Sequence, residues 1–307
     1  MNKGLVYRST GSRCTVKSAD TFYECRIKGK LRLQGIKSTN PVAVGDVVVF
    51  ETDKIHPNEG NIVSVEERKN YIVRKSVNLS KQTHIIASNI DQVFLLVTLF
   101  QPPTFPAFID RFLVTAEAYH IPAIVVFNKI DTYDSTELVA LENLQKVYSD
   151  IGYETFTISA KSGQDIEKIK QKMKGKVSMF AGHSGVGKST VINSIAPHLQ
   201  LKTSPLSSHH NQGTHTTTFA EMFDLDQAIQ IIDTPGIKGF GVVDMTKDEI
   251  SGYFPEFKKI QGQCKFHNCI HLNEPQCAIL EGVTKGTIAE SRYISYVQLL
   301  EEDSLYR

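Results

Sequence analysis

Residues Gly182 to Ser189 read GHSGVGKS, and this stretch decides the fold of the central part of the chain. It satisfies G-x-x-x-x-G-K-[ST], the pattern of a loop that wraps phosphate oxygens. Glycines are needed so that backbone N–H groups can turn inward around an anion. The amides of Gly182, His183, Ser184, Gly185, Val186 and Gly187 are the expected cradle. Lys188 supplies a point charge to the β- and γ-phosphates, and Ser189, with Thr190 after it, opens a helix whose N-terminus favours an anion. The Ser189 hydroxyl is a candidate ligand of Mg²⁺. The apolar run Val177 to Ala181 in front of the loop is a predicted strand.

Working outward, Ile229 to Ile232 forms another apolar run, followed by Asp233-Thr234-Pro235-Gly236. Asp233 is placed to act on Mg²⁺, and Gly236 lets the backbone approach a γ-phosphate. Upstream, the run Ala123 to Phe127 leads into Asn128-Lys129-Ile130-Asp131, and Thr155 to Ile158 leads into Ser159-Ala160-Lys161. An N-K-x-D segment reads guanine: Asp131 accepts from the ring N–H and the exocyclic amine, and Lys129 lies along the ring. In the usual GTPase order these base-reading elements follow the phosphate loop. Here they precede it, so the chain reads as a circularly permuted GTPase that takes GTP and releases GDP.

Between the phosphate loop and Asp233 lies Ser207 to Thr218, SSHHNQGTHTTT, rich in hydroxyls. It is the candidate first switch segment, in which one threonine completes the Mg²⁺ shell. Thr217 is the first choice, with Thr216 and Thr218 as competitors. The position after Gly236, where a water-orienting glutamine is common, is Ile237, which cannot orient water. His215 is the candidate for that catalytic role, beside Lys188 and Thr217.

From about residue 89 strand and helix patterns alternate, with Val93 to Leu99 a strand and Phe108 to His120, Ser135 to Ser149 and Asp165 to Met173 helices. Each nucleotide motif then follows the C-terminal end of a strand, where open α/β sheets bind ligands. Residues 1–70 instead carry about five short strands punctuated by glycine, among them Phe22 to Ile27 and Val47 to Phe50. An OB-fold suits this pattern, and other small barrels, SH3-like ones included, suit it too. Residues 71–88 read as a polar, basic linker.

The C-terminal part brings Cys264, Cys269, His271 and Cys277 within fourteen residues. A Cys₃His set suffices for one tetrahedral structural Zn²⁺, and His267 between them reads as a bystander. Cys14 and Cys25 lie in predicted strands as core residues. The predicted architecture is therefore multidomain: an N-terminal β-barrel over 1–70, a linker over 71–88, an α/β P-loop GTPase unit over 89–240, and a helical zinc-binding unit over 241–307 ending in a helix near Ser291 to Glu302.

Net charge is only +1, but residues 1–40 hold nine Lys/Arg against two Asp/Glu, and Arg68 to Lys81 adds five basic residues and no acid. Basic stretches around a β-rich module point to a nucleic-acid contact, with Tyr7, Phe22 and Tyr23 as stacking candidates that compete with core packing. No run of about 18 apolar residues is present. The start, MNKGLVYRSTGSR, lacks the apolar stretch of a secretory leader. A cytoplasmic protein with no membrane partner is expected.

With these motifs in this order, the chain resembles the RsgA (YjeQ/YloQ) family of bacterial, circularly permuted GTPases. The likeness runs through N-K-I-D, S-A-K, G-H-S-G-V-G-K-S, G-T-H-T-T-T, D-T-P-G and CKFHNCIHLNEPQCAI, whose Cys264, Cys269, His271 and Cys277 match the family's zinc pattern. Thr214 stands where the family has Arg. The resemblance implies an N-terminal OB-fold, GTP hydrolysis stimulated by the small ribosomal subunit, contact with its rRNA and not with DNA, and a role in late maturation of that particle. A monomer is expected. A GTP-dependent RNA-binding scaffold with incidental hydrolysis is the alternative.

Overall fold

The computed structural model describes residues 1–27, 40–75, 83–201, 219–226, 229–234 and 245–301. The first five strands are β1 (Asn2–Ser9), β2 (Arg13–Ser18), β3 (Thr21–Ile27), β4 (Val47–Thr52) and β5 (Glu59–Val65). β1 pairs with β2, β2 with β3, β3 with β5 in parallel, β5 with β4, and β4 back with β1. The ring of pairings closes, so this is a five-stranded barrel of OB type. Strand alternation turns Val6, Cys14, Val16, Cys25, Val48, Phe50 and Ile62 into one buried core. Burial pushes the Cys14 thiol up to about 11 and the Cys25 thiol up to about 12, so both are packing groups rather than nucleophiles.

The stretch expected as a linker over 71–88 is not a simple linker. β6 (Tyr71–Lys75) and β7 (Thr83–Ser88) pair antiparallel, with Ile72 opposite Ala87. Ile72, Val73, Ile85, Ile86 and Ala87 are buried; their short apolar runs outweigh the basic residues around them. The expected basic patch changes as well. Arg68 is buried on Asp46, with both nitrogen–oxygen contacts at 2.6 Å, and Lys69 is ion-paired with Asp91.

The nucleotide unit contains β8 (Gln92–Val97), α1 (Pro106–Ala118), β9 (Ala123–Phe127), α2 (Ser135–Asp150), β10 (Glu154–Thr157), α3 (Ile166–Met173), β11 (Lys176–Ala181), α4 (Lys188–Ile195), β12 (Glu221–Asp226) and β13 (Ile229–Asp233). The strand order is β10-β9-β8-β11-β13-β12, parallel except for β12. Alternate residues of β8 face opposite ways. Val93, Leu95 and Val97 join Ile109, Phe112 and Leu141 on one face, while Phe94 and Leu96 join Ile169, Val191 and Ile192 on the other. Apolar residues on both faces are what a sheet covered by helices on both sides requires. α2 starts where its sequence says it should, because Asp134 and Glu137 form a reciprocal capping box.

The C-terminal unit consists of α5 (Lys247–Ile250), α6 (Pro255–Ile260), α7 (Ala278–Thr284) and α8 (Glu290–Glu301). Phe254, Phe257, Ile279, Tyr296 and Leu299 form its core, and Val114 of α1 completes that core from the nucleotide unit. Beside them the Arg292 guanidinium donates to Asp110 on α1 at 2.6 Å and to Glu256 on α6 at 2.7 Å. Burial alone would depress Arg292, but Asp110 and Glu256 outweigh it and hold the guanidinium charged. Among the described residues no helix is long and apolar enough to cross a membrane.

Candidate nucleotide site and metal centre

The phosphate loop joins β11 to α4, and its glycines take conformations closed to other residues. Gly187, which caps α4, has φ +99°. A Cβ added there would lie 2.4 Å from Nδ2 of Asn128, so this position admits only glycine. Lys188 is buried, and its ammonium donates to the carbonyls of Gly182 at 2.9 Å and His183 at 3.0 Å. Burial pushes its pKa down to about 8, against the opposing pull of Asp233. Asp233, at the end of β13, is buried in turn, and the neighbouring Thr234 hydroxyl donates to the Phe180 carbonyl at 2.8 Å, tying β13 to β11. Ser189 and Thr190 are half-buried on the first turn of α4.

The Asn128-Lys129-Ile130-Asp131 segment is locked to this loop. Asn128 is buried, with Nδ2 donating to the Val186 carbonyl at 2.9 Å and Oδ1 accepting from the Ala160 N–H at 3.1 Å. Lys129 has φ +69° and donates to the carbonyls of Gly185 at 2.8 Å and Gln101 at 2.6 Å. Burial holds its pKa below the ordinary lysine range. Asp131 stands at the exposed rim and accepts from the Ser159 hydroxyl at 2.6 Å, while Ser159 itself accepts from the Ser162 N–H. Lys161 is exposed. The three segments therefore meet at the C-terminal edge of one sheet.

Three contributors had no sequence signal. The Tyr133 hydroxyl accepts from the Leu99 N–H at 2.8 Å and donates to the Asn128 carbonyl at 3.1 Å. Gln101 accepts from Lys129, and the Phe108 ring packs on the His183 imidazole with centroids 4.4 Å apart. Burial, aided by Lys188, keeps the His183 pKa low. His215, the three threonines Thr216, Thr217 and Thr218, Gly236 and Ile237 lie outside the described residues.

In the C-terminal unit the donor atoms of Cys264, Cys269, His271 and Cys277 all lie within 4.8 Å of one another. The Cys277 and Cys264 sulfurs are 3.4 and 3.7 Å from His271 Nδ1, and 4.0 Å from each other. Metal–ligand lengths of about 2.0–2.3 Å in a tetrahedron require donor separations of roughly 3.3–3.8 Å. Both sulfur–nitrogen distances lie in that range and the sulfur pair slightly beyond it, so the Cys₃His set is compatible with Zn²⁺ after a small contraction. Glu274 accepts from the N–H groups of Ile270, Leu272 and Asn273, which shapes the loop around His271. His267 is exposed and outside the four-donor cluster.

The sequence profile of the RsgA GTPase family matches residues 65–243, and that of the RsgA N-terminal domain matches 3–62. The chain belongs to the RsgA family. It is a GTP-hydrolysing enzyme with the permuted motif order of that family. It is 61% identical to the small ribosomal subunit biogenesis GTPase RsgA of Christiangramia forsetii, covering 99% of this chain and 98% of the relative. The protein of the same name from Flavobacterium johnsoniae is also 61% identical, covering 98% of this chain and 93% of the relative. Among solved structures, YjeQ from Thermotoga maritima superposes with a TM-score of 0.78 at 36% identity, covering 98% of each chain. The circularly permuted GTPase YloQ does so at 0.72 and 26%, covering 100% of this chain and 96% of that one. The family profile for the GTPase unit takes in β6 and β7.

Proposed function

We propose that this RsgA-family GTPase hydrolyses GTP on the small ribosomal subunit and assists late maturation of that particle. The observation that carries the nucleotide reading is the lock between Asn128 and the phosphate loop, which aligns a guanine reader with a phosphate cradle. The name carried by the relatives supports the ribosomal reading, as does the excess of nine basic over two acidic residues in 1–40.

In this reading Asn128 and Asp131 select guanine, backed by Ser159, Ala160 and Lys161. Lys188 leaves the carbonyls of Gly182 and His183 to meet the phosphates, and the loop amides stabilise charge that develops on the γ-phosphate. Ser189, Asp233 and Thr217 hold Mg²⁺, which when bound neutralises charge between the β- and γ-phosphates. His215 orients the attacking water. Zn²⁺ on the Cys₃His set is structural, because all four positions of a tetrahedron are filled by protein. The protein acts in the cytoplasm as a monomer, its barrel on rRNA. The units are the barrel over 1–70, the GTPase unit over 89–240 and the zinc unit over 241–307, with 71–88 between them. Of the stacking candidates, Phe22 is 48% exposed, whereas Tyr7 is only 6% exposed and Tyr23 packs on Phe50; Phe22 is the one available to a base.

The test is GTP turnover with and without purified small subunits. Stimulation of roughly 10³-fold or more is in the range that a group supplied in trans gives other GTPases. ATP turned over as fast as GTP, or no response to the subunit, refutes the reading.

A further inference from the structure

The barrel and the nucleotide sheet meet at a seam between β1 and β12, where Arg8 pairs with Glu221. One carboxylate fastens that seam. Asp224 of β12 accepts from the Tyr7 hydroxyl of β1 at 2.6 Å, from the Lys17 ammonium of β2 at 2.6 Å and from Gln230 of β13 at 3.1 Å. Gln230 also donates to the Tyr7 oxygen at 3.0 Å. Burial alone would raise the Asp224 carboxyl, but these donors outweigh it and hold it below the usual range. Burial and the Asp224 charge raise Tyr7, which keeps its proton to donate. The same four side chains line a cleft of about 1060 Å³ between barrel and sheet.

β12 begins at Glu221, three residues after Thr218, and β13 ends at Asp233. The two strands held by Asp224 and Gln230 thus adjoin, in the chain, the groups assigned to the γ-phosphate and its Mg²⁺. On the barrel side, Lys17 sits 5.6 and 5.7 Å from the ring centroids of Tyr7 and Phe22, and Phe22 is 48% exposed. A base stacked on Phe22 would bring its phosphate near Lys17, the cation that neutralises Asp224.

We infer that Asp224, with Tyr7 and Lys17, is a positioning set for hydrolysis: RNA engaged by the barrel shifts the Asp224 fastening, and β12 and β13 carry the shift to the γ-phosphate groups. The inference rests on the subunit-stimulated reading above.

The experiment measures GTP turnover of the full chain with and without purified small subunits, together with subunit affinity, for wild type, Asp224→Asn, Tyr7→Phe and Lys17→Arg. Asp224→Asn is expected to lower stimulated kcat by about tenfold or more, with basal turnover, KM for GTP and subunit affinity each within about twofold. Tyr7→Phe, which removes only a hydroxyl, is expected to lose part of the stimulation should Asp224→Asn fold poorly by circular dichroism. Lys17→Arg is expected to retain it. Stimulation undiminished in both Asp224→Asn and Tyr7→Phe overturns the inference alone. So does a loss of stimulation matched by lost subunit affinity, which marks a docking residue. Absence of stimulation in the wild type overturns the functional reading and the inference together.

Discussion

Asn128 donates from Nδ2 to the main-chain oxygen of Val186 at 2.9 Å, so the residue assigned to the base also props the loop assigned to the phosphates. The contact leaves no room beside Gly187, where a methyl would lie 2.4 Å from that nitrogen. Gly187→Ala is expected to push Asn128 away and weaken GDP and GTP together by about tenfold or more, since about 1.4 kcal/mol corresponds to each factor of ten. Titration with a fluorescent guanine nucleotide checks it; unchanged affinity would mean that the two loops move independently.

Lys188 gives a pH dependence. Without nucleotide its amine has a pKa of about 8, lowered by burial, while the unfolded value is about 10.4. Between these values the unfolded chain binds more protons, so stability of the nucleotide-free protein is expected to rise with pH across that window. A phosphate bound at Lys188 is expected to restore the charged form, so nucleotide binding is expected to take up a proton. Calorimetry at about pH 8.5 in two buffers of different ionisation heat measures the uptake, and Lys188→Met is expected to abolish it. No proton uptake in the wild type would contradict the assignment.

Arg292 and its two carboxylates are all buried. Arg292→Ala leaves Asp110 and Glu256 without their cation and is expected to cost about 3–5 kcal/mol. Removing Asp110 as well is expected to cost less than the sum of the two single changes, because the residues share one network. Urea melts of the single and double variants decide this, and strict additivity would show that the pair is not coupled.

The Cys₃His set predicts one Zn²⁺ per chain by elemental analysis. Cys277→Ala or a chelator is expected to raise hydrogen exchange over residues 245–301, where Phe257, Ile279 and Tyr296 pack around the ligand loop. Guanine-nucleotide affinity is expected to survive. Exchange unchanged after metal removal would show that packing alone holds the unit.

The sequence exposed the nucleotide motifs and the Cys/His set because chemistry fixes residue type and spacing there. It exposed the start of α2 because Asp134 and Glu137 form a local cap. What it hid depends on partners far along the chain. Arg68 reads as part of a basic patch until Asp46, 22 residues away, is seen to take it. Tyr7 reads as a stacking candidate until Asp224, 217 residues on, claims its hydroxyl. β6 and β7 are five and six residues long, and their apolar runs are too short to stand out among basic neighbours. Tyr133, Gln101 and Phe108 belong to no motif, because backbone groups and a neighbouring ring define their roles.

The pairing of Asp110 with Arg292 also has a place in time. The two residues are 182 positions apart, which is roughly 10–40 s of synthesis at about 5–20 residues per second. Every nucleotide motif is synthesised before the cation of α8. Until then Asp110 has no Arg292 and Val114 lacks the α8 residues that cover it. A chain terminated ahead of Arg292 keeps all its nucleotide motifs but leaves Asp110 without its cation and Val114 without the α8 part of its cover.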